Sequence, residues 1–156
     1  MTTLTATDEA THQRVDAVHR FCATCPAADM PVTHRFTPGM YSREIFMPKG
    51  SLVVSKIHKT EHPFVVISGR AAVWDAANGV RQLQGGHVGI TKPGTRRVLF
   101  IHEDCRWITF HATDKLDVGE IEAEIIEARD VPEVCGSAIG TEIDAELVKL
   151  LTGGQS

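Results

Sequence analysis

Residues Gly50 to Gly69 read G-S-L-V-V-S-K-I-H-K-T-E-H-P-F-V-V-I-S-G. Glycines close the stretch at both ends, where a chain can turn through positive φ without a Cβ penalty. Between them β-branched and aromatic residues dominate, which favours extended strand over helix. His58 and His62 stand four residues apart around K-T-E. In a β-hairpin, His58 at the end of one strand and His62 at the start of the next would face each other across that turn. Imidazoles suit zinc, iron, nickel or copper, so the pair is half of a candidate transition-metal site. H-K-T-E-H also matches H-x-x-E-H, the inverted zinc-protease motif, which requires both histidines on one helix face. Pro63 directly after His62 and the β-rich flanks argue against that helix.

Outward from this stretch, short β-rich runs separated by glycine and proline fill the chain from Val32 to Ala112. They are Met40–Met47, Leu52–His58, Phe64–Ser68, Ala71–Asp75, Val80–Leu83, Val88–Thr91, Arg97–Ile101 and Arg106–His111. Runs this short and regularly punctuated point to a sandwich or barrel. Asn78-Gly79 and Pro93-Gly94 carry the chemistry of tight turns. F-V-V-I and V-L-F-I are apolar on both faces, whereas a strand with one wet face should alternate. A second subunit would cover the outer face, and a homodimer is expected; the terminal arms are the other way to cover it.

Residues 1–31 read as a helical arm, with Val15, Val18, His19 and Cys22 at helical spacing until Pro26 and Pro31 break it. His12 and His19 are expected on its surface. After His111 the chain turns acidic. Ile121, Ile125 and Ile126 share a face among Glu120, Glu122, Glu124 and Glu127, which reads as a solvated amphipathic helix. A second helix is expected over Glu142–Leu151. The expected organisation is therefore a helical arm at 1–31, a β-barrel at 32–113 and a helical extension at 114–156.

At 156 residues the chain can bury a core of its own. Its net charge of -4 argues against a general nucleic-acid binder. No apolar run reaches the roughly 18 residues of a membrane span. The first residues, M-T-T-L-T-A-T-D-E-A, lack the basic and apolar regions of a signal peptide, so a cytoplasmic location is expected. Cys22 and Cys25 have the spacing of a zinc half-site or redox pair, but Cys105 and Cys135 supply no second close pair. All four read as ordinary intracellular thiols.

The Gly50–Gly69 unit and a second one, G-H-V-G-I-T-K-P-G-T-R-R from Gly86 to Arg97, resemble the two motifs of the cupin superfamily. Those motifs usually read G-x5-H-x-H-x3-E-x6-G and G-x5-P-x-G-x2-H. The resemblance covers roughly Val32 to Thr113 and is similar to small bacterial and phage cupins without an assigned reaction. It implies a double-stranded β-helix, or jelly-roll, barrel with short terminal helices and a site in the barrel mouth. The four ligand positions of the motifs hold Lys56, His58, His62 and Arg97. Only the two histidines are metal ligands.

The resulting site expectations are these. His58 and His62 hold one divalent transition metal (zinc, iron, nickel or manganese), with His111 as the third ligand ahead of His102 and His34. Lys56 and Arg97 bind a small anionic molecule. Tyr41 or Glu61 serves as acid or base. Two cations about 4 Å apart repel by roughly 4 kcal/mol at an effective dielectric near 20, so convergence of Lys56 and Arg97 calls for Glu61, Glu44 or a bound anion. A metal-free cupin using His58 or His62 for proton transfer, and a non-catalytic sensing or assembly module, are the alternatives. The fold does not choose among them.

Overall fold

A computed structural model describes residues 9–128 and the backbone of residues 136–137. The expected helix over Glu142–Leu151 lies outside the described residues. The order is α1 (Glu9–Thr24), β1 (Val32–Thr37), β2 (Met40–Met47), β3 (Ser51–Val54), β4 (Ile57–His58), β5 (His62–Asp75), β6 (Gly79–Gln84), β7 (Val88–Thr91), β8 (Val98–Ala112), α2 (Val118–Ile125), β9 (Ile126–Glu127) and β10 (Gly136–Ser137).

The spine is β8, which pairs antiparallel with β3 through Val98–Phe100 and with β2 through Cys105–Ala112. Along its other edge runs β5, from Phe64 opposite Thr109 to Trp74 opposite Val98. The runs expected at 64–68 and 71–75, and those at 97–101 and 106–111, are thus two long strands rather than four short ones. Register shifts between Val66 and Ala71 bend the pair. Gly69 sits in that bend with φ +90°, and a Cβ there would lie 2.2 Å from the Asp104 carbonyl oxygen. Along β5, β7 pairs with His62–Val65 and β6 with Arg70–Asp75, which completes the jelly-roll barrel.

Strand alternation divides the apolar residues between two cores. Val53 and Leu99 point inward with Phe64, Val66, Val73, Ile101 and Trp107. Leu52, Val54, Trp74 and Val98 point outward onto Val15, Val18 and Cys22 of α1, with Phe100 packed against them. The helical arm therefore covers the outer face of V-L-F-I, though not that of F-V-V-I, within one chain here. A buried ion pair, Arg96 to Asp16, ties α1 to the barrel, and Arg96 also donates to the His12 carbonyl at 3.2 Å. His12 and His19 are buried at 7% exposure each, not on the surface, because this face of the helix packs on the barrel.

At the other end, α2 lies over the barrel mouth. The Asp117 carboxylate caps it by accepting from the Glu120 N–H at 2.9 Å. Ile121 and Ile125 pack on Tyr41, with Ile126 beside them. The helix turns directly into β9, which pairs with β4. The acidic segment is thus a cover over the site, not merely a solvated helix. No helix among the described residues is long and apolar enough to cross a membrane.

Candidate metal and anion site

Three histidines from three strands meet beneath α2. His58 is on β4, His62 opens β5 and His111 is near the end of β8. Their ring centroids lie 4.4 Å (58–62), 4.5 Å (62–111) and 5.6 Å (58–111) apart. One ring nitrogen from each falls within 4.8 Å of the other two. His58 and His62 converge as expected, but not through a hairpin: β4 pairs with β9, whereas His62 pairs with Thr91 of β7. The K-T-E link is a crossing between two sheets.

The hydrogen bonds orient the rings. His62 Nδ1 lies 3.1 Å from the Thr60 carbonyl oxygen, which only accepts, so Nδ1 carries the proton and Nε2 is bare. His111 Nε2 meets Thr109 Oγ1 at 2.9 Å, while its Nδ1 is buried without a partner. Burial disfavours the charged form of all three. Burial, then His62 and His111, then Arg43 and Arg97, push His58 down to about 3. Burial, His62 and Arg43 push His111 down to about 4. His62 is lowered as well, chiefly by burial. All three are neutral at pH 7, the form that ligates a metal.

Tyr41 stacks on His111 at 5.8 Å, and its hydroxyl meets His34 Nδ1 at 2.6 Å. Burial raises its pKa, so it stands at neutral pH as a proton donor rather than a base. Glu61 does not join the site. Its carboxylate is more than half exposed and pairs with Lys92 Nζ at 2.7 Å. Glu44 is also engaged elsewhere, with Arg35 at 3.2 Å and Arg106 at 2.7 Å. The acid that meets Lys56 is Glu122 of α2, at 3.3 Å. His102 packs edge-on against Phe100, away from the triad.

Arg97 is buried at 9% exposure. It donates to Thr91 Oγ1 at 2.9 Å, lies over the Phe64 ring at 4.8 Å, and leaves its buried Nε without a partner. None of the ion pairs among the described residues involves Arg97 or Arg43. Arg43 and Arg97 line a cavity of about 400 Å³ together with Lys56, Tyr41 and the three histidines, and Arg97 also borders a second, smaller cavity with Asp75 and Arg81. Arg43 escaped the sequence reading, as did Glu122. The signal for Arg43 was the two-residue period Tyr41, Arg43, Ile45, Met47, which puts it on the face of Tyr41.

No protein-family model matches the chain, and no curated protein matches it. Solved structures do. Ectoine synthase from P. lautus shares 11% identity over 67% of this chain and 84% of its own, with a TM-score of 0.50. A double-stranded β-helix protein from Klebsiella pneumoniae gives 18% identity, 65% and 87% coverage and a TM-score of 0.48. An RmlC-like cupin from Methanocaldococcus jannaschii gives 11% identity, 56% and 84% coverage and a TM-score of 0.45. At such identities the likeness is one of fold alone. The chain has the double-stranded β-helix barrel of the cupins.

Proposed function

We propose that this cupin holds one divalent transition metal on His58, His62 and His111 and receives a small anionic molecule beside it, held by Arg97 and Arg43. The observation that carries the reading is the triad itself: neutral imidazoles, one ring nitrogen of each within 4.8 Å of the other two. His111 Nδ1 is also buried without a protein partner, and an orphaned buried nitrogen costs on the order of 1–3 kcal/mol. Three protein nitrogens with an open fourth position is also the donor set of catalytic zinc sites. When bound, such an ion supplies Lewis acidity toward an oxygen of the ligand.

The chain's own residues supply the rest. Arg97 and Arg43 neutralise the ligand's negative charge. Tyr41, held protonated with its hydroxyl on His34 Nδ1, walls the site by stacking its ring on His111. Lys56 and Glu122 close the mouth as a neutral pair. The metal-free proton-transfer alternative is weaker for His58, because a histidine pushed down to about 3 is a poor acid or base near neutral pH.

Elemental analysis tests the reading. Purified protein supplemented with zinc, iron, nickel or manganese is expected to carry one ion per chain. His58→Ala, His62→Ala or His111→Ala should each release it, and His102→Ala should not. Unit stoichiometry retained in the triple variant would remove this site; failure of the parent to hold any of the four ions would remove the metal altogether.

A further inference from the structure

The β2–β8 ladder carries a polarity gradient along one face of the cavity. Cross-strand partners run Tyr41 with His111, Arg43 with Thr109, Ile45 with Trp107, and Met47 follows one step further. All seven side chains line the same cavity. At about 3.4 Å per residue, the ladder passes from ring nitrogens and a guanidinium to a largely apolar wall, with the Trp107 indole N–H as its one polar group, within roughly 20 Å. The apolar end is no isolated patch. Met47 and Trp107 belong to the interior core with Val53 and Leu99, and Ile45 and Met30 pack against it. All six line the cavity. Such a wall is a poor host for a sugar or an inorganic anion, whose polar groups would be left unpaired there.

From this gradient we infer that the anionic ligand is amphipathic: a medium-chain aliphatic or arylalkyl monocarboxylate. Its carboxylate sits between the histidines and Arg43 and Arg97, and its apolar body lies along Ile45, Met47 and Trp107. The inference rests on the anion-binding reading above and adds the ligand's other half. Arg43 and Arg97 at one end favour an anionic head group, although Arg97 also lies within Coulombic reach of Asp75, and about 400 Å³ of space leaves room for a body as well.

Calorimetric titration of the purified full chain with acetate, butanoate, hexanoate, octanoate and hexanamide tests it. Each added methylene is expected to tighten binding about fourfold, equivalent to ~0.8 kcal/mol, until the apolar end is filled. Hexanamide should bind at least about tenfold more weakly than hexanoate, since it lacks the charge that the arginines meet. Arg43→Gln should weaken every acid by a similar factor, whereas Ile45→Ser should weaken hexanoate about tenfold more than acetate. Equal affinity along the acid series overturns the inference while leaving the small-anion reading intact. An amide that binds as tightly as its acid overturns the head-group assignment. Absence of binding by every acid, with metal at one per chain, removes the ligand half and leaves the metal half. Equal weakening of acetate and hexanoate by Ile45→Ser, in a variant with unchanged circular dichroism, also overturns it.

Discussion

At the scale of the residue, the site is governed by what three imidazoles undergo on burial beside two arginines. His58, His62 and His111 are all held below their ordinary value, and the sign of the consequence is fixed. Below about pH 6.5 the unfolded chain takes up protons at these histidines while the folded protein refuses them. Folding must then expel those protons, so stability falls as the pH falls toward about 4. The slope is up to about 1.4 kcal/mol per pH unit for each histidine. In metal-free protein, urea unfolding at pH 7, 6.5, 6, 5.5 and 5 should show stability declining through this range. The His58→Gln, His111→Gln double variant should decline much less. A flat profile in the parent would mean that the rings are solvated and not forced together.

At the scale of the element, the decisive feature is the bend shared by β5 and β8. A straight fourteen-residue strand could not pair with both ends of β8 and still close a barrel. Gly69 makes the bend passable, because its φ of +90° and its approach to the Asp104 carbonyl leave no space for a methyl group. Gly69→Ala is expected to cost more than about 3 kcal/mol, since backbone strain and a backbone clash add. Gly39, at φ +77° with nothing within 4 Å of its ideal Cβ, has the strain without the clash. Gly39→Ala should cost only about 1 kcal/mol. Chemical unfolding of the two variants beside the parent separates these cases, and equal losses would refute the steric account. The same scale explains why the strand runs looked short in sequence. Glycine and a residue such as Asp104 punctuate a run whether the chain turns there or only bends.

At the scale of the whole molecule, α1 answers part of the question posed by the doubly apolar strands. It covers Leu52, Val54, Trp74 and Val98. The outward side of β5 and β7 is left open among the described residues: Ile67 is 38% exposed, Val88 66% and Ile90 52%. Val88 lies opposite Val65, and Ile90 opposite Pro63, so these apolar groups form one patch. A second copy of the chain is the expected cover. Light scattering should give twice the 17.0 kDa of one chain, and Val88→Lys should halve it without altering metal content. A parent that scatters as a single chain at micromolar and higher concentrations would refute the dimer.

The amino-acid sequence alone determined the β-rich barrel, the helical segments before and after it, and the meeting of His58 with His62. Those properties depend on near neighbours: two-residue and helical periodicities, glycine and proline at turns, and the short span between two ring-bearing positions. Only the tertiary structure decided that His111 completes the triad, that Arg43 faces it, that Lys56 pairs with Glu122 rather than with Glu61 or Glu44, and that His12 and His19 are buried. Each of these depends on register or docking between segments far apart in the chain. Tyr41 must lie opposite His111, α2 must fold back over the mouth, and α1 must seat on β3. No local pattern encodes such distant pairings, because their energy arises only when the barrel closes and the apolar faces are buried together.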